Sequence, residues 1–232
     1  MTDWFDTSLG KRVWQEECLL LRVALEDVFG FDLLQVGHWG TDCALLEWAR
    51  TQRVAVIDEQ AAEGVGVHAR LSALPLAADS VDAVLLPHTL ERVDDPYAVL
   101  REAERVLRPE GALLICGFNP WSGWGLRRVL AARFDLPAFP PGIQRMISER
   151  RLKDWVRLLG IDVEQTLGYL GPLPWGSRAG EAAYRPRSAM MGGAYLLKAY
   201  KRTRSLTVLR PRWKSAPRVL VHAAGPTSRV RS

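Results

Sequence analysis

The stretch that most constrains the fold of this chain is residues 74–120, which has the pattern of a strand, a helix and a second strand. Residues 81–86 (VDAVLL) form a short apolar run with little alternation, which is typical of a strand buried on both faces of a parallel sheet. Residues 112–118 (ALLICGF) have the same pattern. Two such strands joined by a helix predict a right-handed crossover between parallel strands of an α/β sheet, in which ligands bind beyond the carboxyl ends of the strands.

The segment between these two runs carries helix signals at both ends. Asp94 or Asp95 is a candidate N-cap, and Pro96 suits the first turn because its missing N–H has no intrahelical partner there. Pro109 and Gly111 end the predicted helix. Apolar residues at helical spacing define the face that packs on the sheet, namely Val99, Leu100, Ala103, Val106 and Leu107.

The motifs in this stretch are specific enough to indicate a family. They read LPLxxxSVDxV, then HxLE, then DP, then LRExxRVLRPxG, and they resemble the middle of class I S-adenosylmethionine-dependent methyltransferases of the type 11 group. The motif FNPWSGWGLRR extends the resemblance to a stand-alone proteobacterial branch of that group. The resemblance covers roughly residues 33–201 and is strong over 74–119. It implies an α/β fold with a doubly wound, mostly parallel, seven-stranded Rossmann-like sheet and helices on both faces. It also implies S-adenosylmethionine as the cofactor and methyl transfer as the activity.

The glycine loop that the resemblance implies for the cofactor is degenerate in this chain. Residues 31–37 (FDLLQVG) predict a strand and a turn, and a helix is expected over about residues 42–51. The family has an acid followed by Gly-x-Gly-x-Gly. Aligned to that pattern, this chain has Gln35 at the acid, Gly37, Trp39 and Thr41 at the glycines, and Gly40 one position out of step. The resemblance makes four loop residues candidates for cofactor binding: Gly37, His38, Trp39 and Gly40.

An acidic pair follows the second predicted strand, which covers residues 54–58 (VAVID). Asp58 and Glu59 lie about 20 residues after the glycine loop, where a nucleotide-binding α/β fold places an acid that accepts hydrogen bonds from ribose hydroxyls. The alternative is a solvated acid at a strand end. Asp58 is the better candidate because it follows the apolar run directly.

The adenine side of the implied site also departs from the family. Residues 65–67 are the predicted third strand, and the family places an acid shortly after it that helps to hold the adenine. This chain has Arg70 at that position. Contacts to the adenine would then come from backbone N–H groups near Leu71 and Ser72.

His88 is the candidate catalytic residue. Together with Pro87 it follows the strand at residues 81–86, so both residues are also candidates for cofactor contact. An imidazole with an unperturbed pKa near 6.5 can take a proton from a hydroxyl or an activated carbon at neutral pH. The alternative is that His88 closes the strand end or caps a helix. The sequence contains no Ser-His-Asp order, no metal-ligand cluster and no phosphate-binding Walker loop.

The remaining segments complete a single domain predicted over residues 1–202. Residues 9–30 predict an amphipathic helix that ends at Gly30. Residues 120–147 are apolar but interrupted by glycine and proline, which predicts a lid over the strand ends without a regular element.

The C-terminal part of this domain is predicted to contain a helix and a strand pair. Ser148 is the N-cap of the helix, which ends at Gly160. Residues 161–170 and 194–200 are expected to form the final antiparallel pair of the methyltransferase sheet.

The net charge of +5 conceals a strong asymmetry along the chain. The residues up to Glu181, which is the last acid, hold 19 basic and 26 acidic residues, whereas 12 basic residues follow it. Residues 203–232 contain no acid and little periodicity, which predicts a disordered basic tail. This tail is interpreted either as solubilising or as an electrostatic tether to nucleic acid or an anionic membrane.

Compartment signals favour a cytoplasmic protein. The first residues, MTDWFDTSLGKR, do not have the pattern of a signal peptide, and no apolar run is long enough to span a membrane. Cys18, Cys43 and Cys116 are scattered without pairing or metal spacing, which indicates reduced thiols.

Three functions remain open from the sequence. The leading prediction is methyl transfer from S-adenosylmethionine to a small-molecule acceptor. The alternative is a pseudo-methyltransferase that serves as a binding or scaffold module, which Trp39 and Arg70 favour. If the indole of Trp39 fills the site, Trp39→Gly is expected to restore cofactor binding. An NAD-dependent Rossmann enzyme is disfavoured because the loop fits no dinucleotide fingerprint.

Overall fold

The structure is a computed structural model of the chain that describes residues 2–40, 44–62, 64–134, 142–171, 187–188 and 192–202. The strands are β1 (Phe29–Val36), β2 (Arg50–Asp58), β3 (Val67–His68), β4 (Val81–Pro87), β5 (Leu107–Phe118), β6 (Asp162–Tyr169), β7 (Arg187–Ser188) and β8 (Ala194–Tyr200). The helices are α1 (Thr2–Phe5), α2 (Ser8–Ala24), α3 (Thr89–Arg92), α4 (Pro96–Val106), α5 (Gly123–Phe134) and α6 (Glu149–Leu158), and Ala44–Leu46 forms a 3₁₀ turn.

These strands form one sheet in the order β3-β2-β1-β4-β5-β8-β6-β7. The pairs among β1 to β5 are parallel, whereas β8 pairs in antiparallel orientation with both β5 and β6. Without the two-residue strand β7, the described part of the chain has seven strands in a doubly wound, mostly parallel arrangement. The predicted fold class and the predicted antiparallel pair β6/β8 are therefore confirmed.

The sheet separates two apolar layers, because successive side chains of a strand point to opposite faces. Leu33 belongs to the layer that contains α2, and the next residue, Leu34, belongs to the layer that contains α4 and α6. The central strand β4 is buried at all but one of its residues, as expected for a strand covered on both faces. The helices are capped as predicted, since Asp95 accepts a hydrogen bond from the Ala98 N–H and Ser148 accepts one from the Arg151 N–H.

The predicted end of the N-terminal helix at Gly30 is wrong. The helix α2 ends at Ala24, and Gly30 lies inside β1. A Cβ atom on Gly30 would lie 2.5 Å from the Cβ of Asp82, so glycine is required by close packing and not by a helix end. The Asp82 carboxylate accepts hydrogen bonds from the N–H groups of Phe31 and Asp32, which fixes the start of β1 as a strand.

The helix predicted over residues 42–51 is also wrong, although residues 41–43 lie outside the described part of the chain. The described part of this segment holds only the single turn Ala44–Leu46, and β2 begins at Arg50. Strand pairing accounts for the difference, because Phe29 of β1 pairs with Arg50 and extends the parallel ladder toward the amino end. The third strand is displaced from its predicted position, since Val67–His68 pairs with the end of β2.

The region predicted as an irregular lid contains the regular helix α5. Its Trp124 side chain is fully buried and donates an indole N–H to the Gly171 carbonyl at 3.1 Å, which anchors the helix to the end of β6. Residues 135–141 lie outside the described part of the chain, and residues 142–147 return without regular structure to the N-cap of α6.

Several predictions fall wholly or partly on residues that the structure does not describe. The basic tail at residues 203–232 and Cys43 are among them, so these predictions stay untested. Within the described ranges, neither Cys18 nor Cys116 forms a disulfide, and no group of His, Cys, Asp and Glu side chains could hold a metal ion. No described helix has the length and apolar character to cross a membrane.

Candidate functional site

A cavity of about 500 Å³ lies at the carboxyl ends of β1, β2 and β4. It falls where a doubly wound sheet is expected to bind its ligand, and its volume is within the range of small-molecule sites. The residues that line it are Gly37, Asp58, Glu59, Gln60, Leu71, Thr89, Arg92, Val93, Gly142, Ile143 and Gln144.

Gly37 is the loop glycine that lies against this cavity, and its position requires glycine. Its backbone φ is +86°, and a Cβ there would lie 2.6 Å from the hydroxyl oxygen of Thr89. That hydroxyl donates a hydrogen bond to the Val36 carbonyl at 2.5 Å, and so ties the ends of β1 and β4 together. The Gly37 N–H donates to the Ile57 carbonyl, which closes the turn over the end of β2.

The acidic pair Asp58 and Glu59 forms the wall of the cavity at the end of β2. The buried Asp58 carboxylate accepts hydrogen bonds from the N–H groups of His38 at 2.5 Å and Gln60 at 3.0 Å. The Glu59 carboxylate accepts one from the Leu71 N–H at 3.1 Å. Each carboxylate oxygen can accept more than one hydrogen bond, so both side chains retain capacity for the hydroxyls of a ligand.

Trp39 does not occupy the cavity, although it stands where the family has a glycine. Its side chain is fully buried, and its ring packs edge-on against Phe5 with ring centroids 5.1 Å apart. The indole N–H donates to the carboxylate of Glu17 on α2 at 2.7 Å. Gly40 is equally turned from the cavity, because its Cα packs against the ring of Trp14. The degenerate part of the loop is therefore an anchor in the core.

His88 lies in the same buried region, behind the cavity wall. Its side chain has no exposed surface, and its ring lies between those of Trp39 and Phe118, tilted by 35° and 31° to them, at centroid distances of 4.5 and 4.2 Å. Its Nδ1 atom lies 2.8 Å from the Glu91 carboxylate, and its Nε2 atom lies 2.8 Å from the Glu17 carboxylate. Both ring nitrogens are thus engaged, and this geometry does not support a general base that acts on an acceptor in the cavity.

The electrostatics of this buried group favour an imidazolium. Burial by itself lowers the pKa of His88, but the charges and hydrogen bonds of Glu17 and Glu91 outweigh it and raise the pKa to about 9. Burial raises the pKa of Glu91, opposed by the hydrogen bond from His88. The Tyr169 hydroxyl completes the group by donating to Glu17 at 3.0 Å, and burial raises the pKa of that hydroxyl.

Glu91 also holds the segment that covers the cavity. Its backbone carbonyl accepts hydrogen bonds from the N–H groups of Gln144 and Arg145 at 2.9 and 3.2 Å. Its carboxylate accepts one from the Phe118 N–H at 3.0 Å, at the end of β5. One residue of α3 therefore connects the buried His88, the end of β5 and the cover at residues 142–144.

Some of the predicted cofactor-binding residues line the cavity and others do not. Those that line the cavity are Gly37, Asp58, Glu59 and Leu71, and His38 contacts Asp58 through its backbone. Those that do not line it are Trp39, Gly40, Ser72, Pro87 and His88. Ser72 and Arg70 are exposed, whereas Pro87 is buried at the end of β4. Direct cofactor contact for these five residues stays a prediction that the cavity does not support.

Sequence reasoning missed Glu17, Glu91, Arg92 and the cover at residues 142–144. Glu17 stands in a helix, where an acid is usually solvated, and only the three-dimensional structure brings it to His88. Glu91 is three residues from His88 and is the acid of the HxLE motif, but the motif by itself does not show that the two side chains pair in the core. The sequence did offer a signal for Arg92, which is a cationic residue shortly after the strand predicted at residues 81–86. Nothing in the local pattern of residues 142–144 marks them as a cover.

The charges in the cavity favour a ligand with a net positive charge. Asp58 and Glu59 supply two carboxylates and Arg92 supplies one guanidinium, so the charged side chains among the described lining residues sum to −1. S-adenosylmethionine carries a sulfonium, an ammonium and a carboxylate, which sum to +1. Its ribose hydroxyls match the carboxylates at the end of β2. The cavity therefore fits this cofactor in size, charge and hydrogen-bonding groups, and the sheet order and site together define a class I methyltransferase.

Comparison with known proteins agrees with this class. The sequence model of the family described as "Methyltransferase domain" matches residues 39–115. A relative from Escherichia coli (strain K12), named "Uncharacterized protein YafS", is 35% identical over 98% of this chain and 92% of its own length. A ubiquinone biosynthesis O-methyltransferase from Xanthomonas axonopodis pv. citri is 31% identical, but the match covers 44% of each protein.

A solved structure supports the fold. The S-adenosylmethionine-dependent methyltransferase of Thermotoga maritima, described as a possible histamine N-methyltransferase, superposes with a TM-score of 0.59 over 86% of this chain and 94% of its own. The identity of 21% makes this a likeness of fold alone. The chain belongs to the class I S-adenosylmethionine-dependent methyltransferases of the type 11 group, and its cofactor is S-adenosylmethionine.

Proposed function

We propose that the chain transfers a methyl group from S-adenosylmethionine to a small-molecule acceptor, with the cavity at the ends of β1, β2 and β4 as its active site. The observation that carries the proposal is the acidic wall of Asp58 and Glu59 facing an open cavity from which Trp39 is turned away. The cover at residues 142–144 limits the remaining space, which favours a small acceptor over a macromolecule.

The chain's own residues contribute binding and orientation to the reaction. When bound, S-adenosylmethionine supplies an electrophilic methyl group on its sulfonium. Asp58 and Glu59 accept hydrogen bonds from ribose hydroxyls and place negative charge near a cationic ligand. The cover at residues 142–144 is held by the Glu91 carbonyl and contributes to the wall of the cavity. Holding two reactants in line supplies a large part of the rate enhancement without a general base, which agrees with the buried position of His88.

The names of the relatives suggest which class of methyl acceptor to test first. The Xanthomonas relative is named an O-methyltransferase of ubiquinone biosynthesis, and its match covers 44% of this chain. We therefore take hydroxylated small molecules as the first acceptor class to test. Contact of the basic tail with nucleic acid or an anionic membrane stays a separate prediction.

The alternative of a pseudo-methyltransferase depended on Trp39 and Arg70. Trp39 is packed in the core and Arg70 is exposed, so neither side chain lines the cavity. An NAD-dependent enzyme stays disfavoured, because the loop at residues 37–41 fits no dinucleotide fingerprint. A cofactor titration separates these alternatives.

Calorimetric titration is expected to show binding of S-adenosylmethionine and of its demethylated product, S-adenosylhomocysteine. Asp58→Asn should lower the affinity for both ligands by about tenfold or more, since hydrogen bonds to a charged group contribute about 1.5–3 kcal/mol. This variant removes the charge and keeps one oxygen for the His38 N–H, but its amide nitrogen cannot accept the hydrogen bond from the Gln60 N–H.

The matched control is Asp32→Asn. The Asp32 carboxylate pairs with the exposed Arg53 at 2.7 Å, away from the cavity, so this variant should bind the cofactor like the wild type. Equal binding by wild type and Asp58→Asn would contradict the placement of the ribose. Absence of binding to the wild type at millimolar cofactor would contradict the enzyme proposal.

A further inference from the structure

Arg92 is the cation of the cavity. Among the described residues that line it, Arg92 alone carries a positively charged side chain. It stands at the end of α3, and its guanidinium donates to the His38 carbonyl in the glycine loop. On its other side it lies against the cover, because a Cβ on Gly142 would be 3.4 Å from the Arg92 Nε atom. The guanidinium is therefore held between the loop and the cover.

The acids in the cavity make a cation necessary for one part of the cofactor. Asp58 and Glu59 favour the sulfonium and ammonium groups of S-adenosylmethionine, but they oppose its carboxylate. A carboxylate taken out of water requires a hydrogen-bonded partner of opposite charge. A guanidinium has five N–H donors, and its planar geometry matches a carboxylate with two parallel hydrogen bonds. The bond to His38 uses one of these donors.

We propose that Arg92 binds the carboxylate of the methionine moiety of the cofactor. The proposal rests on the function proposed above and adds a residue that discriminates among adenosine-containing ligands. S-adenosylmethionine and S-adenosylhomocysteine carry the carboxylate, whereas 5′-methylthioadenosine has the same adenosine and thioether without it. Arg92 should therefore contribute to binding of the first two and not of the third.

The experiment is a calorimetric titration of the full chain with S-adenosylhomocysteine and with 5′-methylthioadenosine. Arg92→Gln removes the charge but keeps an N–H donor for the His38 carbonyl, and Arg92→Lys keeps the charge without the planar fork. Arg92→Gln is expected to lower the affinity for S-adenosylhomocysteine roughly 10- to 100-fold, which is the usual contribution of hydrogen bonds to a charged group. It should change the affinity for 5′-methylthioadenosine less than twofold. Arg92→Lys should recover part of the loss.

Arg128→Gln is the matched control. Arg128 also donates to a backbone carbonyl of the cover, that of Gln144, but it does not line the cavity. It should bind both ligands like the wild type, and a thermal melt of each variant verifies that the fold is intact.

The outcomes separate the proposal from its competitors. Equal weakening of both ligands by Arg92→Gln would overturn it and assign Arg92 to the shape of the glycine loop. Unchanged binding of both would also overturn it, and would leave the guanidinium for an anionic acceptor. Absence of S-adenosylhomocysteine binding to the wild type would contradict the proposed function and the Arg92 assignment together. Weaker binding of S-adenosylhomocysteine with unchanged binding of 5′-methylthioadenosine supports the proposed function and the Arg92 assignment.

Discussion

Replacing His88 with alanine is expected to destabilise the folded protein by about 3–5 kcal/mol, which is the usual cost of removing one partner from a buried ion pair. The substitution leaves the carboxylates of Glu17 and Glu91, each 1% exposed, in the core without the imidazolium between them. It also removes the ring that packs between Trp39 and Phe118. Chemical denaturation followed by circular dichroism measures the effect as a change in the free energy of unfolding.

Two further variants test the cause of this loss. His68→Ala removes an exposed histidine on β3 and should change the free energy of unfolding by less than about 0.5 kcal/mol. Adding Glu17→Gln to His88→Ala removes one of the unpaired charges and should recover part of the loss. If His88→Ala unfolds like the wild type and loses only turnover, His88 is the general base that the sequence predicted, and the structural role is wrong.

The same buried group predicts a dependence of stability on pH. The pKa of His88 is raised from 6.5 to about 9, so between these values the folded state holds a proton that the unfolded state releases. The stabilisation by His88 is therefore fully present below pH 6.5 and is lost as the pH rises through 9, by about 3 kcal/mol. Denaturation of the wild type and of His88→Gln across this range measures the difference between their slopes. Parallel slopes would contradict an imidazolium in the core.

The central part of the fold was predictable because its determinants are local in the sequence. A buried strand such as β4 appears as an apolar run, and the caps Asp95 and Ser148 act within three residues of themselves. The errors arose where a distant residue decides the local structure. Gly30 looked like a helix end, but the carboxylate of Asp82, more than 50 residues further along the chain, fixes it in a strand.

In the candidate site, too, residues with local determinants could be predicted from the sequence, and residues placed by distant contacts could not. Asp58 and Glu59 follow their strand directly, so their place at its carboxyl end could be predicted from the sequence. The buried partner Glu17 could not, because it lies 71 residues from His88 and has the local context of an acid on a solvated helix face. The direction of the Trp39 side chain was hidden for a related reason. Alignment locates the residue in the loop, whereas its contacts with Phe5 and Glu17 determine where the ring goes.

Trp39→Gly is the variant in which the sequence and the structure predict opposite results. If the indole filled the cavity, glycine would reopen it and restore cofactor binding. The structure places the ring in the core, fully buried, with its N–H bonded to Glu17. We therefore expect a loss of about 3–5 kcal/mol in the free energy of unfolding, typical of removing a buried aromatic side chain.

The effect of Trp39→Gly on cofactor binding follows from the position of Trp39, which is next to the loop residue that contacts Asp58 in the wall of the cavity. His38 precedes it and donates its backbone N–H to Asp58, so releasing the indole frees the loop that this bond orders. We expect Trp39→Gly to bind S-adenosylhomocysteine more weakly than the wild type. Trp39→Phe keeps a ring in the core and loses only the N–H donor, so it should retain more of both stability and affinity. Tighter binding by Trp39→Gly, with an unchanged free energy of unfolding, would mean that the ring does block the cavity.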